Sequence, residues 1–343
     1  MSLPESTQNY ANYAASVPEM IRATLSEKTG LAQAQALLEG ASRIFFTGSG
    51  SSVPAALLGS QLLARTTTKA GMFAPSSLLL DEIKLSSADV VVLVSQGWNR
   101  ADAALITRKV VDSPARLIVI TGRPDREGDY GAQASSVVAL PILPQKEKIF
   151  CRPASAVTGY IKIAQLLESL TGVRYNTEQW IDAYQAGWSR APSALPKDKQ
   201  FVVLATSLLL CAGNNIALSL REGAGRYGSV HELESYGHGQ YVPDQLHIDS
   251  THYFVLTAQA NPYYRDAFAR IKPMLDSTHS SYEIWDTPHG DILGNVSHMG
   301  RIAKTVLASI QQDGWDMNNP PGMEGNRSFH EADTPNQTER TDG

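Results

Sequence analysis

The sequence predicts an α/β protein of two halves, each a mainly parallel sheet covered by helices. Short apolar runs of strand length recur at 43–47 (RIFFT), 89–94 (DVVVLV), 117–121 (LIVIT) and 137–140. Strands that are apolar throughout belong to a parallel sheet buried on both faces. Segments with helical spacing alternate with them, as a layered α/β fold requires. The same order then restarts at 201–205 (FVVLA), after a stretch at 187–199 that carries two prolines and several charges. That stretch is taken as the boundary between the halves.

The elements follow in order. Residues 10–40 read as helical, with apolar positions at Met20, Ile21, Leu25, Leu31, Leu37 and Leu38. The run 43–47 ends at Gly48, and 53–64 reads as a helix whose Pro54 suits a first turn. A second strand at 89–94 leads into a turn at 95–99 and a helix at 101–111. The strands 117–121 and 137–140 and a long helix at 154–173 complete the first half. In the second half, strands are predicted at 201–205, 253–257 and 282–285, and helices at 214–222, 264–274 and 292–311. The expected organisation is a helical segment at 1–40, one subdomain at 41–190, a second at 195–320, and a polar tail at 321–343. At least the last dozen residues of that tail are expected to be disordered.

Composition narrows the function. The chain has 343 residues, 43% hydrophobic and 18% charged, with a net charge of −5 and two cysteines. That suffices for a large core and lacks the basic stripe of a nucleic-acid binder. Cys151 and Cys211 have no metal-ligand spacing, and a reducing cytoplasm is the expected compartment. No apolar run approaches the roughly 20 residues of a membrane span. Residues 1–10 are polar, so no secretory leader is expected.

Two strand-to-helix loops carry the chemistry. Gly48-Ser49-Gly50-Ser51-Ser52 follows the first strand, and Ser95-Gln96-Gly97-Trp98-Asn99 the second. In parallel sheets, ligands sit beyond the carboxyl ends of the strands. Glycines admit close approach to an oxyanion, serines add hydroxyl donors, and a helix N-terminus adds unpaired N–H groups. Two such loops can enclose a phosphate or carboxylate; alternatively, Gly and Ser only make tight turns. The first loop lacks the Gly-Lys-Ser/Thr of a Walker motif, the third glycine of a dinucleotide fingerprint and the pattern of a nucleophile elbow.

Taken in order, these residues resemble the SIS (sugar isomerase) family, in particular the isomerase domain of glucosamine-6-phosphate synthase and related deglycases and deaminases. The likeness runs from about Pro18 to about Pro320. The family's Gly-Thr-Ser loop corresponds to Gly48-Ser49-Gly50-Ser51, and its Ser-Gln-Ser-Gly-Glu-Thr-x-Asp loop to 95–102. Its E-x-x-V-A-S-T segment is loosely echoed at 147–155 and its A-L-x-L-K-E helix at 217–222. Its Glu-x-Tyr-x-x-Gly loop is echoed at 234–239 and its D-x-D-x-P at 316–320. The resemblance implies two SIS subdomains, each a three-layer α/β/α sandwich with a mainly parallel sheet. It also implies a homodimer whose sites often use loops of both chains, and no metal or redox cofactor. The implied partner is a sugar phosphate or other acidic sugar derivative, and the implied chemistry is aldose–ketose isomerisation or cleavage of a sugar–amine adduct.

Carried over by position, Gly48, Ser49, Gly50, Ser51, Ser95, Gln96, Asn99 and Arg100 are implied ligand residues. Glu222 is the implied base, with Glu234 and His238 as further catalytic candidates. The chain also departs from the family. Gly97 and Arg100 stand where the family has serine and threonine, so two hydroxyl donors are lost. Arg100 can replace them with a charged fork or simply be solvated. Trp98 can stack on a sugar or pack in the core. The family's K-H-G-P histidine falls at Val242-Pro243-Asp244, which has none; His238 and His231 lie nearby. Glu234 can orient such a histidine or cap the loop. No lysine follows Lys304, where the family has one in its tail. An enzyme and a non-catalytic phosphosugar sensor are therefore both expected readings.

Overall fold

The computed structural model describes residues 4–98, 101–126, 136–142, 147, 149, 151–242 and 246–319. Its first sheet has the order β2-β1-β3-β4-β5, and every pairing is parallel. These strands are β1 (Arg43–Gly48), β2 (Ala70–Phe73), β3 (Asp89–Val94), β4 (Arg116–Thr121) and β5 (Val137–Pro141). The central β3 is buried along its whole length, as its continuous Val/Leu run requires. The second sheet, order β7-β6-β8-β9, is also parallel throughout. It comprises β6 (Gln200–Ala205), β7 (Gly228–Glu232), β8 (Thr251–Ala258) and β9 (Ser281–Thr287).

The helices are α1 (Glu5–Ala15), α2 (Val17–Ser26), α3 (Leu31–Glu39), α4 (Val53–Thr66), α5 (Ser76–Asp81), α6 (Ala101–Val111), α7 (Pro153–Thr171) and α8 (Thr177–Trp188). They continue with α9 (Leu209–Ala224), the single turn α10 (Leu233–Ser235), α11 (Pro262–Ser277) and α12 (Ile292–Asp313). The expected helical stretch 10–40 is thus three helices. Gly30, at φ +72, breaks the last from the second, and a side chain there would meet the Ala139 carbonyl. Two edge strands, β2 and β7, are absent from the predicted set, as are α5 and α8.

The chain divides into two compact units. One comprises Ser26–Lys146 with Lys162–Val173; the other comprises Met1–Leu25, Glu147–Ile161 and Arg174–Asn318. The first is built on the five-stranded sheet. Its core gathers Phe45, Val91, Leu93, Trp98, Ile106, Leu117 and Val119. At the amino end of its strands, buried Asp89 is held by both guanidinium donors of Arg43 at 2.7 and 2.6 Å and by the Ser86 N–H at 2.6 Å. A buried carboxylate persists when its oxygens are satisfied in this way.

The second unit is built on the four-stranded sheet, with α8 and α1 packed on the long α12. Helix α8 starts at a capping box in which Asn176 and Gln179 satisfy each other's backbone N–H groups. Buried Arg226 donates to the Leu195 and Ala224 carbonyls and pairs with Asp313. Among the described residues, no helix is long and apolar enough to cross a membrane, and no group of three His, Cys, Asp or Glu is placed to hold a metal.

Candidate functional site

In the five-stranded sheet, the connection from β1 leaves to one side and β3 returns on the other. The carboxyl ends of β1 and β3 therefore flank the topological switch point, where open α/β sheets bind ligands. The first predicted loop lies there. Gly48 ends β1, and a Cβ on it would sit 2.9 Å from the Val94 carbonyl, so glycine is required. Gly50 has φ +54, and residues Gly50–Ser52 make a tight helical turn into α4. Ser49, Gly50 and Ser51 are exposed, and no side chain caps the start of α4. The loop thus presents hydroxyls and helix-start N–H groups to solvent, the chemistry of an oxyanion cradle.

The second loop is more constrained. The Ser95 N–H donates to the Ile120 carbonyl at 3.0 Å, and the Gln96 carbonyl accepts from the Gly122 N–H at 2.9 Å and the Thr121 hydroxyl at 3.2 Å. Trp98 is buried in the core, and its indole N–H donates to the Thr107 hydroxyl at 3.0 Å. It packs, and does not offer its ring to a ligand. Asn99 and Arg100 lie outside the described residues. Sequence reasoning missed the neighbouring loop after β4, Gly122-Arg123-Pro124-Asp125-Arg126, which follows a buried strand as the other two do. In it, Arg123 pairs with Asp125 on the surface, and Arg126 donates to the Trp98 carbonyl at 3.0 Å.

The proton-transfer candidates belong to the four-stranded unit. Glu222 lies in the last turn of α9 and is largely shielded. Burial pushes its carboxyl up from 4.5 to about 7, opposed by Arg221 and Arg152. The fully buried Cys151 lies beside it: a Cβ on Gly223 would approach its sulfur to 3.1 Å. Burial, then the Glu222 charge, pushes the Cys151 thiol up, against a bond from Ser219. Glu147, also buried, accepts from the Ala154 and Ser155 N–H groups at 3.1 and 2.8 Å and from the Ser155 hydroxyl. It caps α7, and burial still holds its carboxyl above the usual range. This segment of α7 is where the sequence echoes the family's E-x-x-V-A-S-T.

Glu234, His238 and His231 lie elsewhere in that unit. Helix α9 leaves the carboxyl end of β6 and runs back along the sheet, so Glu222 lies about 20 Å of helix rise from its start. Glu234 and His238 follow the carboxyl end of β7. One chain therefore does not bring Glu222 together with them. Exposed Glu234 accepts from the Tyr263 hydroxyl at 2.9 Å and pairs with Arg270. The loop is capped instead by Glu232, which accepts from the Ser235 N–H at 2.7 Å and the Thr206 hydroxyl at 3.0 Å. His238 is exposed on a turn opened by Gly239 at φ +114, and the His231 ring contacts Gln240 at 3.1 Å. Val242 is described and exposed; Pro243 and Asp244 lie outside the described residues, as do Pro320 and the tail 321–343.

Comparison with known proteins relates the fold to others. The SIS domain family model matches residues 37–147. No curated protein sequence matches the chain. Among solved structures, a candidate phosphosugar isomerase from Silicibacter pomeroyi superimposes with a TM-score of 0.73 at 14% identity, covering 90% of this chain and 99% of that one. The C-terminal domain of glucosamine-fructose-6-phosphate aminotransferase from Francisella tularensis gives 0.68 at 14% identity, covering 91% and 98%. Tagatose-6-phosphate ketose/aldose isomerase from Escherichia coli gives 0.67 at 17% identity, covering 93% and 98%. Identities this low establish a shared fold.

Proposed function

We propose that this chain, a member of the SIS domain family through its residues 37–147, binds a phosphorylated or otherwise acidic sugar derivative and catalyses its aldose–ketose isomerisation or the cleavage of a sugar–amine adduct. The observation that carries the reading is Glu222, a shielded carboxyl raised to about 7 on the helix that matches the family's base. A carboxylate whose pKa lies near working pH can take a proton and return it. Isomerisation through an enediol moves one proton between C2 and C1 of the open-chain sugar, and a single base on one face serves both transfers. The reading assigns anion binding to Gly48–Ser51, Ser95 and Gln96 in the five-stranded unit, with Asn99 and Arg100 as further ligand candidates.

The separation of Glu222 from Glu234 and His238 within one chain favours a homodimer in which a second copy contributes the histidine loop. His238, exposed and on a glycine-flanked turn, is then the group that opens the sugar ring. Mixing Glu222→Gln and His238→Ala chains tests this: hybrid dimers regain part of the activity if the site is shared, and none if each chain works alone.

Thermal unfolding against fructose 6-phosphate, glucosamine 6-phosphate and fructosamine 6-phosphates tests the ligand class, since a ligand that binds only the folded state raises stability with concentration. Glu222→Gln should bind these compounds and lose about a hundredfold or more in turnover; undiminished turnover sinks the assignment. The stretch Val242-Pro243-Asp244, which has no histidine where the family's ring-opening one falls, favours a second reading, a non-catalytic phosphosugar sensor. Stabilisation by a phosphosugar with no product from any compound of the panel would select it.

A further inference from the structure

Beyond the strand ends, the loops after β3 and β4 remain joined by successive hydrogen bonds. The Ser95 N–H meets the Ile120 carbonyl, the Gly122 N–H and Thr121 hydroxyl meet the Gln96 carbonyl, and Arg126 meets the Trp98 carbonyl at 3.0 Å. The last of these depends on an unusual backbone. Trp98 has φ +45, a left-handed conformation that costs a non-glycine residue about 1 kcal/mol or more. Among the contacts that hold it are the buried indole, bonded to Thr107 from inside the core, and the guanidinium of Arg126 on the carbonyl side. The ring is thus an anchor for the loop, and the arginine is its clamp.

We propose that Arg126, working with the Trp98 anchor, is the positioning residue of the anion-binding loop. It steadies a loop that lacks the hydroxyl pair found in the family where Gly97 and Arg100 stand here. It fixes the carbonyl of Trp98, keeps Ser95 and Gln96 in the orientation that meets the anion, and brings a permanent positive charge to the carboxyl end of the sheet. A guanidinium suits both tasks because it donates in a fixed fork and stays charged at any working pH. The inference rests on the anion-binding reading above and adds the residue that makes the loop competent.

The test uses the full chain and its Arg126→Ala and Arg126→Lys variants, titrated with inorganic phosphate and with fructose 6-phosphate by calorimetry. Arg126→Ala should weaken both probes by about tenfold or more, the scale of a binding loop that is no longer held in place. Arg126→Lys, which retains the charge and can donate to the carbonyl but lacks the planar fork, should recover part of that loss. In turnover assays KM should rise with kcat little changed. Thr107→Val, which removes the indole's acceptor, should weaken the same probes with no change of charge. If the parent chain binds fructose 6-phosphate and Arg126→Ala binds it equally well, Arg126 is only structural and this inference fails alone. If the parent chain binds neither probe, the anion-binding reading fails and carries this inference with it.

Discussion

Replacing Glu222 with glutamine should make the protein more stable above neutral pH while lowering turnover. The carboxyl titrates at about 7 in the fold against 4.5 as a model group, because burial disfavours its charge. In the unfolded chain it ionises near 4.5. Between those values the unfolded state holds the charge and the folded state holds the proton. Stability is therefore lost as pH rises from 4.5 to about 7 and is flat above that. At about 1.4 kcal/mol per pH unit the full penalty is about 3–4 kcal/mol, an upper figure because the group is not completely enclosed. Glutamine does not ionise and escapes the penalty.

Urea unfolding at pH 4.5 and pH 8 measures this directly. Four of the five tryptophans (Trp180, Trp188, Trp285 and Trp315) belong to the unit that carries Glu222, so intrinsic fluorescence reports on the right part of the molecule. The two proteins should match at pH 4.5, and the variant should be about 2–3 kcal/mol more stable at pH 8. Turnover should fall by about a hundredfold or more, the usual worth of a positioned base. Parallel pH profiles for the two proteins would mean that Glu222 is not held in a desolvated place, and the case for it as the base would collapse.

Other outcomes follow from packing and charge. A Cβ on Gly187 would lie 1.7 Å from the Ser297 carbonyl, and one on Gly300 would lie 2.2 Å from the Tyr184 carbonyl; either alanine should push α8 off α12 and cost about 3 kcal/mol or more, read as a drop in melting temperature. Asp313→Asn should cost about 3–5 kcal/mol in urea unfolding, because it strands the buried Arg226 charge. Glu234→Gln should cost less than about 1 kcal/mol, because its pair with Arg270 is exposed. His298 is fully buried and its imidazole is pushed down to about 3 by burial and then by Arg301. The unfolded ring protonates near 6.5, so stability falls as pH drops from 6.5 towards 3, and His298→Asn should flatten that acid limb in a urea series.

The strands that were legible in the sequence are the interior ones. The run 89–94 is buried on both faces and contains nothing but apolar residues after its first, so it was read at its true length. Strands β2 and β7 are edges, partly exposed, and each carries a glycine where a helix presses close. Gly71 lies against Leu63, and Gly228 against the Ala217 carbonyl. Packing dictated glycine at both positions and so removed the β-branched signal that reveals a strand. Helix α8 has a clear local signal in Asn176-Thr177-Glu178-Gln179, a capping-box pattern.

The candidate site divides along the same physical line. Gly48 and Gly50 were legible because a loop with a close approach and a left-handed turn admits few other residues, and both constraints are present in the fold. The loop after β3 was harder, because its stability comes from elsewhere in the chain. Nothing local in Ser95-Gln96-Gly97-Trp98 says that the indole turns inward to Thr107, or that a guanidinium twenty-eight residues later closes on its carbonyl. A tryptophan beside an anion loop invites a stacking role, and the fold shows why that reading fails: the left-handed Trp98 backbone buries the ring and turns the carbonyl to Arg126. The loss of two hydroxyls at Gly97 and Arg100, taken from the sequence alone, looks like a weakened anion site. Set beside the clamp at Arg126, it looks like a loop that has lost two hydroxyl donors but is held in place, and made more positive, by a guanidinium on its Trp98 carbonyl. That positive charge beside the loop predicts an anionic ligand, and a binding affinity that falls with salt.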